Sequence, residues 1–163
     1  MARCYVSIGS NIDKARHVRA AVRALAARYG PLAVSRVYES APVGFDGESF
    51  YNLVVGFDTD DGADAVAGEL ACIETANGRR RDGERYGPRT LDLDLLLYGD
   101  IVRCDARSPL PHPDILAYPF VLRPLAEIAP GERHPVSGLT YAALARASAV
   151  DDSGLRVAGF QID

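Results

Sequence analysis

Asp92 and Asp94 stand one residue apart in the stretch "GPRTLDLDLLLYGD", inside a run of strand-forming residues from Leu91 to Leu97. An unpaired carboxylate buried in a sheet is costly. Strand alternation removes the conflict: Leu91, Leu93 and Leu95 take one face and the two acids take the other. Their Cβ atoms are then roughly 6.5–7 Å apart. Like charges at that spacing repel and favour a cation. Carboxylate oxygens suit hard ions such as Mg²⁺, and a same-face pair can hold two ions roughly 3.5–4 Å apart, as in phosphoryl and nucleotidyl transfer. A solvated strand face is the ordinary alternative, and Asp-x-Asp alone does not decide between them.

The segment feeding the pair shifts the balance. "GRRRDGERYGPR" carries Arg79, Arg80, Arg81, Arg85 and Arg89 against Asp82 and Glu84, a local +3 in a chain of net charge −4. The guanidinium fork matches phosphate oxygens two at a time and stays charged. Gly78, Gly83 and Gly87 give the backbone freedom to close over a ligand. A solvated basic loop, or a nucleic-acid patch with Tyr86 as a stacking ring, are the competing readings. Neither accounts for phosphate handles running straight into a carboxylate pair, which suits an enzyme that uses a nucleoside triphosphate. Downstream, "PLPHPD" holds His112 between prolines, as a phosphate donor, an acid–base group or an ordinary loop histidine. His17 reads as a helix-surface residue and His134 as a loop residue beside Pro135.

The elements that must carry these groups follow in order. "CYVSIGS" alternates as a strand, and Ser10 or Asn11 is placed to cap the next helix. Val18, Val22, Leu25 and Tyr29 form one helical stripe that Gly30-Pro31 ends. "LAVSRVYES" and "FYNLVVGFDT" are two further strands, joined by "APVGFDGES". Asp61 is placed to cap a second helix with Val66, Leu70 and Ile73 as its stripe, stopped at Asn77-Gly78. The aspartate strand follows, and "YGD" turns it toward a short partner, "IVRC". The order β-α-β-β-α-β is the split βαβ pattern of a ferredoxin-like α+β fold with an antiparallel sheet. Extra C-terminal helices are expected near 120–128 and 140–147, and "LRVAGF" as an edge strand.

The 163 residues fit one domain over 1–163. The hydrophobic share of 48% and charged share of 25% are those of a soluble globular protein. A net charge of −4 argues against a surface given over to nucleic acid or anionic membrane. Cys4, Cys72 and Cys104 form no CxxC pair, so reduced thiols and a cytoplasmic location are expected. No signal-peptide core and no membrane-length apolar run is present in the sequence.

"SIGSN", "YES-APVG", "FYN", "RYGPRTLDLDLLLYG" and "PHPD…FVLRPL.EIAP", in that order from about residue 4 to Pro130, closely resemble the 6-hydroxymethyl-7,8-dihydropterin pyrophosphokinase family of folate biosynthesis. The resemblance implies a monomeric α+β enzyme. It would move the β,γ-pyrophosphate of ATP to the pterin's hydroxymethyl oxygen and release AMP. It implies that Asp92 and Asp94 hold two Mg²⁺ ions and that Arg79 and Arg89 clamp phosphate. Arg81, Arg107 and His112 would contact ATP. Asn52 would read the pterin's polar edge, with Phe120 stacking on the ring and Pro42 and Val43 lining the pocket. Loops around 41–49 and 78–88 would close over the substrates. A flat heteroaromatic ring needs aromatic faces and a matching amide, which Phe50, Phe120 and Asn52 can supply. Tyr118 stands where many members carry an arginine, and Tyr86 where a tryptophan is common.

Three alternatives remain open at this level. One is a paralogue acting on a related reduced pterin. Another is a different two-metal nucleotidyl transferase, which would release pyrophosphate instead of AMP. The third is a ferredoxin-like RNA-binding module; two carboxylates on the sheet face disfavour it, and no nucleic-acid or membrane partner is expected.

Overall fold

The computed structural model describes residues 1–40, 48–78, 91–105, 107–148 and 152–162. Its elements are β1 (Ala2–Ser10), α1 (Lys14–Tyr29), β2 (Ala33–Val34), β3 (Tyr38–Ser40), β4 (Phe50–Thr59), α2 (Ala63–Ala76), β5 (Asp92–Tyr98), α3 (Asp114–Ala117), α4 (Pro119–Ile128), α5 (Tyr141–Ala147) and β6 (Arg156–Val157). Among the described residues the strands form one six-stranded sheet in the order β5-β1-β4-β3-β6, with β2 also on β4. Every pairing is antiparallel. The α+β class and the split βαβ order are those expected from the sequence.

Helices cover both faces. Val18, Ala21, Val22 and Leu25 of α1 and Val66, Leu70 and Ile73 of α2 pack on Val6, Ile8, Leu53, Val55, Phe57, Leu91, Leu93 and Leu95. On the other face, Ile115, Val121, Leu122, Leu125 and Tyr141 from α3–α5 pack on Tyr5, Val54, Leu96 and Leu97. Each fully buried aliphatic side chain contributes about 1.5–3 kcal/mol, which ties both layers to the sheet. Because both faces are covered, β4 is apolar almost throughout instead of alternating.

Several local expectations need correction. The strand read over Leu32–Ser40 is two short strands. The Ser35 hydroxyl accepts the Val54 N–H at 3.0 Å and takes a ladder position from the main chain. The register consequently slips by one residue between Val34 opposite Val55 and Tyr38 opposite Asn52. Neither Ser10 nor Asn11 caps α1; Asp13 stands there in a left-handed conformation, φ 47°. Ser10 Oγ donates to Ile12 O, and Asn11 Nδ2 to Glu48 O. Asp61 does not cap α2 either, since Gly62 holds that position and Asp61 pairs with Arg28. "IVRC" forms no partner strand, only an isolated bridge from Arg103 to Leu110. His17 is buried, with Nδ1 2.7 Å from Ile12 O. The α1 stripe, the Gly30 stop and the C-terminal edge strand stand as expected.

Candidate active site

β5 builds the site through an irregularity. Leu91, Leu93 and Leu95 are buried against α1 and α2, so Asp92 and Asp94 project from the opposite face, half-buried. The pairing of β5 with β1 then shifts between Tyr5 and Val6, leaving Leu96 as an extra residue. Such a bulge lets Leu96 and Leu97 both enter the second core. Leu96 O accepts the His112 N–H at 2.9 Å. That bond docks the Pro-His-Pro segment beside β5 and brings His112 to Asp94.

His112 Nε2 lies 3.9 Å from Asp94 Oδ1, and Nδ1 lies 3.9 Å from Asp114 Oδ2. Nδ1 also accepts the backbone N–H of Asp114 at 3.1 Å. The neutral ring therefore carries its proton on Nε2, facing Asp94. Burial lowers the His112 pKa from its ordinary value, against an upward pull from the Asp114 and Asp92 carboxylates. Ligand atoms of Asp94, His112 and Asp114 all lie within 4.8 Å of one another. The half-buried carboxylate oxygens of Asp94 and Asp114 suit a hard divalent cation, the imidazole suits a softer one, and Asp94 is the member this cluster shares with the expected Asp92–Asp94 pair.

A second row of groups crosses the same face. Asn52 on β4 stands opposite Gly9 on β1, and Gly9 stands opposite Asp92. Asn52 is buried, and its Nδ2 donates to Ser40 Oγ at 3.0 Å. A Cβ at Gly9 would sit 3.0 Å from Asn52 Oδ1. Glycine thus keeps the floor between amide and carboxylate bare. Phe50, two residues before Asn52, shares this face by alternation. Phe120 of α4 packs at the margin of the second core and stacks on Tyr118, with centroids 4.9 Å apart.

Of the residues singled out from sequence, Asp92, Asp94, His112, Asn52, Phe50 and Phe120 come to this one face. Arg107 is exposed on a turn, and no described contact ties it to the cluster. Arg79, Arg81, Arg89, Pro42 and Val43 lie outside the described residues. The sequence reading missed Asp114 and the floor role of Gly9. Asp114 follows His112 by two residues, and Gly9 falls within the strand "CYVSIGS" and the "SIGSN" motif, where nothing in the sequence marks it as lying between Asn52 and Asp92.

The fold and this site define a class: an α+β enzyme with two carboxylates on one sheet face, an imidazole docked beside them, and an amide and aromatic rings on the same face. The model of the 7,8-dihydro-6-hydroxymethylpterin-pyrophosphokinase family matches residues 5–130. Over 134 residues the chain is 42% identical to 2-amino-4-hydroxy-6-hydroxymethyldihydropteridine pyrophosphokinase of Methylorubrum extorquens, spanning 80% of this chain and 84% of that one. It is 41% identical over 137 residues to the enzyme of the same name from Pseudomonas aeruginosa, spanning 82% and 84%. Among solved structures, wild-type Plasmodium falciparum HPPK-DHPS superposes with a TM-score of 0.68 at 12% identity, over 89% of this chain. An HPPK-DHPS in complex with substrates superposes with a TM-score of 0.70 at 11% identity, over 90%. This chain spans 44% and 45% of those two structures, and at such identity they bear on the fold alone. The chain belongs to the 7,8-dihydro-6-hydroxymethylpterin-pyrophosphokinase family, and it is a diphosphokinase.

Proposed function

We propose that this chain transfers the terminal diphosphate of ATP to the hydroxymethyl oxygen of 6-hydroxymethyl-7,8-dihydropterin, with Asp92 and Asp94 as the metal-holding pair. The hydroxyl oxygen forms a bond to the β-phosphorus and sheds its proton. The bond from that phosphorus to the oxygen bridging the α-phosphate breaks, and AMP leaves with that oxygen. Asp92 and Asp94 would hold two Mg²⁺ ions, which when bound neutralise phosphate charge and orient the triphosphate. His112, with its proton on Nε2, is placed to donate to a phosphate oxygen near Asp94. Asn52, held by Ser40, offers its amide to the pterin edge, and Phe50 and Phe120 offer ring faces. Arg79, Arg81, Arg89 and Arg107 are assigned to the phosphates, and Pro42 and Val43 to the pterin pocket.

The observation that carries this reading is the register row Asn52–Gly9–Asp92. It sets the Asn52 amide and the Asp92 carboxylate on one face, with only glycine between them. The test is incubation with ATP, Mg²⁺ and 6-hydroxymethyl-7,8-dihydropterin, following AMP. Wild type forms AMP. Asp92→Asn and Asp94→Asn each lose activity by on the order of 100-fold or more while keeping the fold. Release of pyrophosphate in place of AMP would favour a nucleotidyl transferase, and folded aspartate variants at wild-type rate would remove the metal assignment.

A further inference from the structure

Helix α2 carries an acid on the face it buries. Glu74, four residues after Leu70 and one after Ile73, continues the stripe that packs on the sheet, and it is 4% exposed. It lies in the last helical turn, where the dipole disfavours a carboxylate, and burying a charge is costly unless it is hydrogen-bonded. Its Oε2 accepts the Leu93 backbone N–H at 2.8 Å. Leu93 is the residue between Asp92 and Asp94.

The position of β5 explains why that bond matters. β5 is at the edge of the sheet and pairs only with β1 among the described residues. In an antiparallel ladder alternate residues turn their N–H groups away from the neighbouring strand, and at an edge those groups need another partner. A carboxylate acceptor makes such a bond roughly twice as strong as a neutral one. Asp92 and Asp94 are like charges one residue apart on the same face of that strand, and so repel one another.

We propose that Glu74 is a positioning residue for the aspartate pair. Its carboxylate pins the backbone at the midpoint of Asp92 and Asp94, and so holds both in the separation and direction that divalent cations require. The inference rests on the reading of that pair as the metal site. Glu74 touches no substrate in this account; it acts through the strand.

The test compares Glu74→Gln, which keeps an acceptor oxygen, with Glu74→Met, which fills the volume without one. Three readouts are taken: Leu93 amide hydrogen exchange, calorimetric binding of Mg²⁺ with α,β-methylene-ATP, and AMP formation against Mg²⁺ concentration. Glu74→Met is expected to speed Leu93 exchange and weaken Mg²⁺-dependent binding by roughly 10–100-fold, the usual cost of removing a group that orients metal ligands. Glu74→Gln recovers most of both. A folded Glu74→Met protein with wild-type Mg²⁺ dependence overturns the proposal, as does a Gln variant as impaired as Met. If Glu74→Met fails to fold, wild-type exchange decides: a Leu93 amide exchanging faster than those of Asp92 and Asp94 overturns it. Exchange is independent of turnover, so a wild type that forms no AMP would sink the proposed reaction while still judging the Glu74 bond.

Discussion

The two faces of the sheet are built from the same strands and put to different uses. Toward α1 and α2, β1, β4 and β5 present an almost unbroken apolar surface, and the helices seal it. Toward α3–α5 the apolar surface covers only one end, at Tyr5, Val54, Leu96 and Leu97. At the other end the strands present Gly9, Asn52, Asp92 and Asp94. The difference shows that one strand can serve stability and chemistry at once when alternation separates the two. The bulge at Leu96 marks where β5 passes from site to core on the second face.

Paired substitutions break this comparison most directly. Leu93→Ala removes buried volume from the sealed face and is expected to cost about 2–5 kcal/mol in denaturant unfolding. Asp94→Asn, one residue away, is expected to change stability by under about 1 kcal/mol while abolishing AMP formation. Similar stability losses for the two would mean that the faces are not functionally separate. A smaller effect sharpens the site's geometry: Gly9→Ala puts a methyl group against Asn52 Oδ1. It should raise the KM for the pterin about tenfold, within the hundredfold that a displaced group can cost. An equal rise in the KM for ATP would argue against Gly9 as the floor of a pterin subsite.

The smallest effect lies away from both faces. His134 is buried, and its Nδ1 accepts the N–H groups of Val136 and Ser137 at 3.3 and 3.1 Å. Burial lowers its pKa from the ordinary 6.5, so the folded state prefers the neutral ring. That contribution to stability is complete above pH 6.5 and is lost as pH falls through the lower folded value. Thermal unfolding between pH 7 and 5 should therefore show a declining midpoint. His134→Asn, which keeps an acceptor but takes up no proton, should flatten part of that decline. An unchanged slope would remove His134 from the acid response.

Much of the architecture was legible in the residues because it rests on local periodicity. The α1 stripe, the α2 stripe, the span of β4 and the two-faced reading of β5 all follow from spacing. The misreadings arose where side chains took over main-chain bonds. Ser35 replaced a ladder bond and split one strand into two, and Ser10 and Asn11 gave their side chains to Ile12 O and Glu48 O instead of to the head of α1. Glu74 left a signal that the helical reading passed over, a charge on the stripe of Val66, Leu70 and Ile73. In the fold that charge meets the Leu93 N–H.

The sequence by itself determined that two aspartates share a face opposite three leucines, because side-chain direction on a strand alternates whatever the rest of the chain does. It also carried the motifs that mark the family. Tertiary structure decided which groups meet those aspartates. His112 reaches Asp94 through a bond to the Leu96 carbonyl, Asn52 aligns with Asp92 through the register of three strands, and Glu74 meets the pair's backbone from a helix on the other face. Such pairings depend on strand register and on a bulge, which arise from long-range packing and leave no periodic trace in the chain.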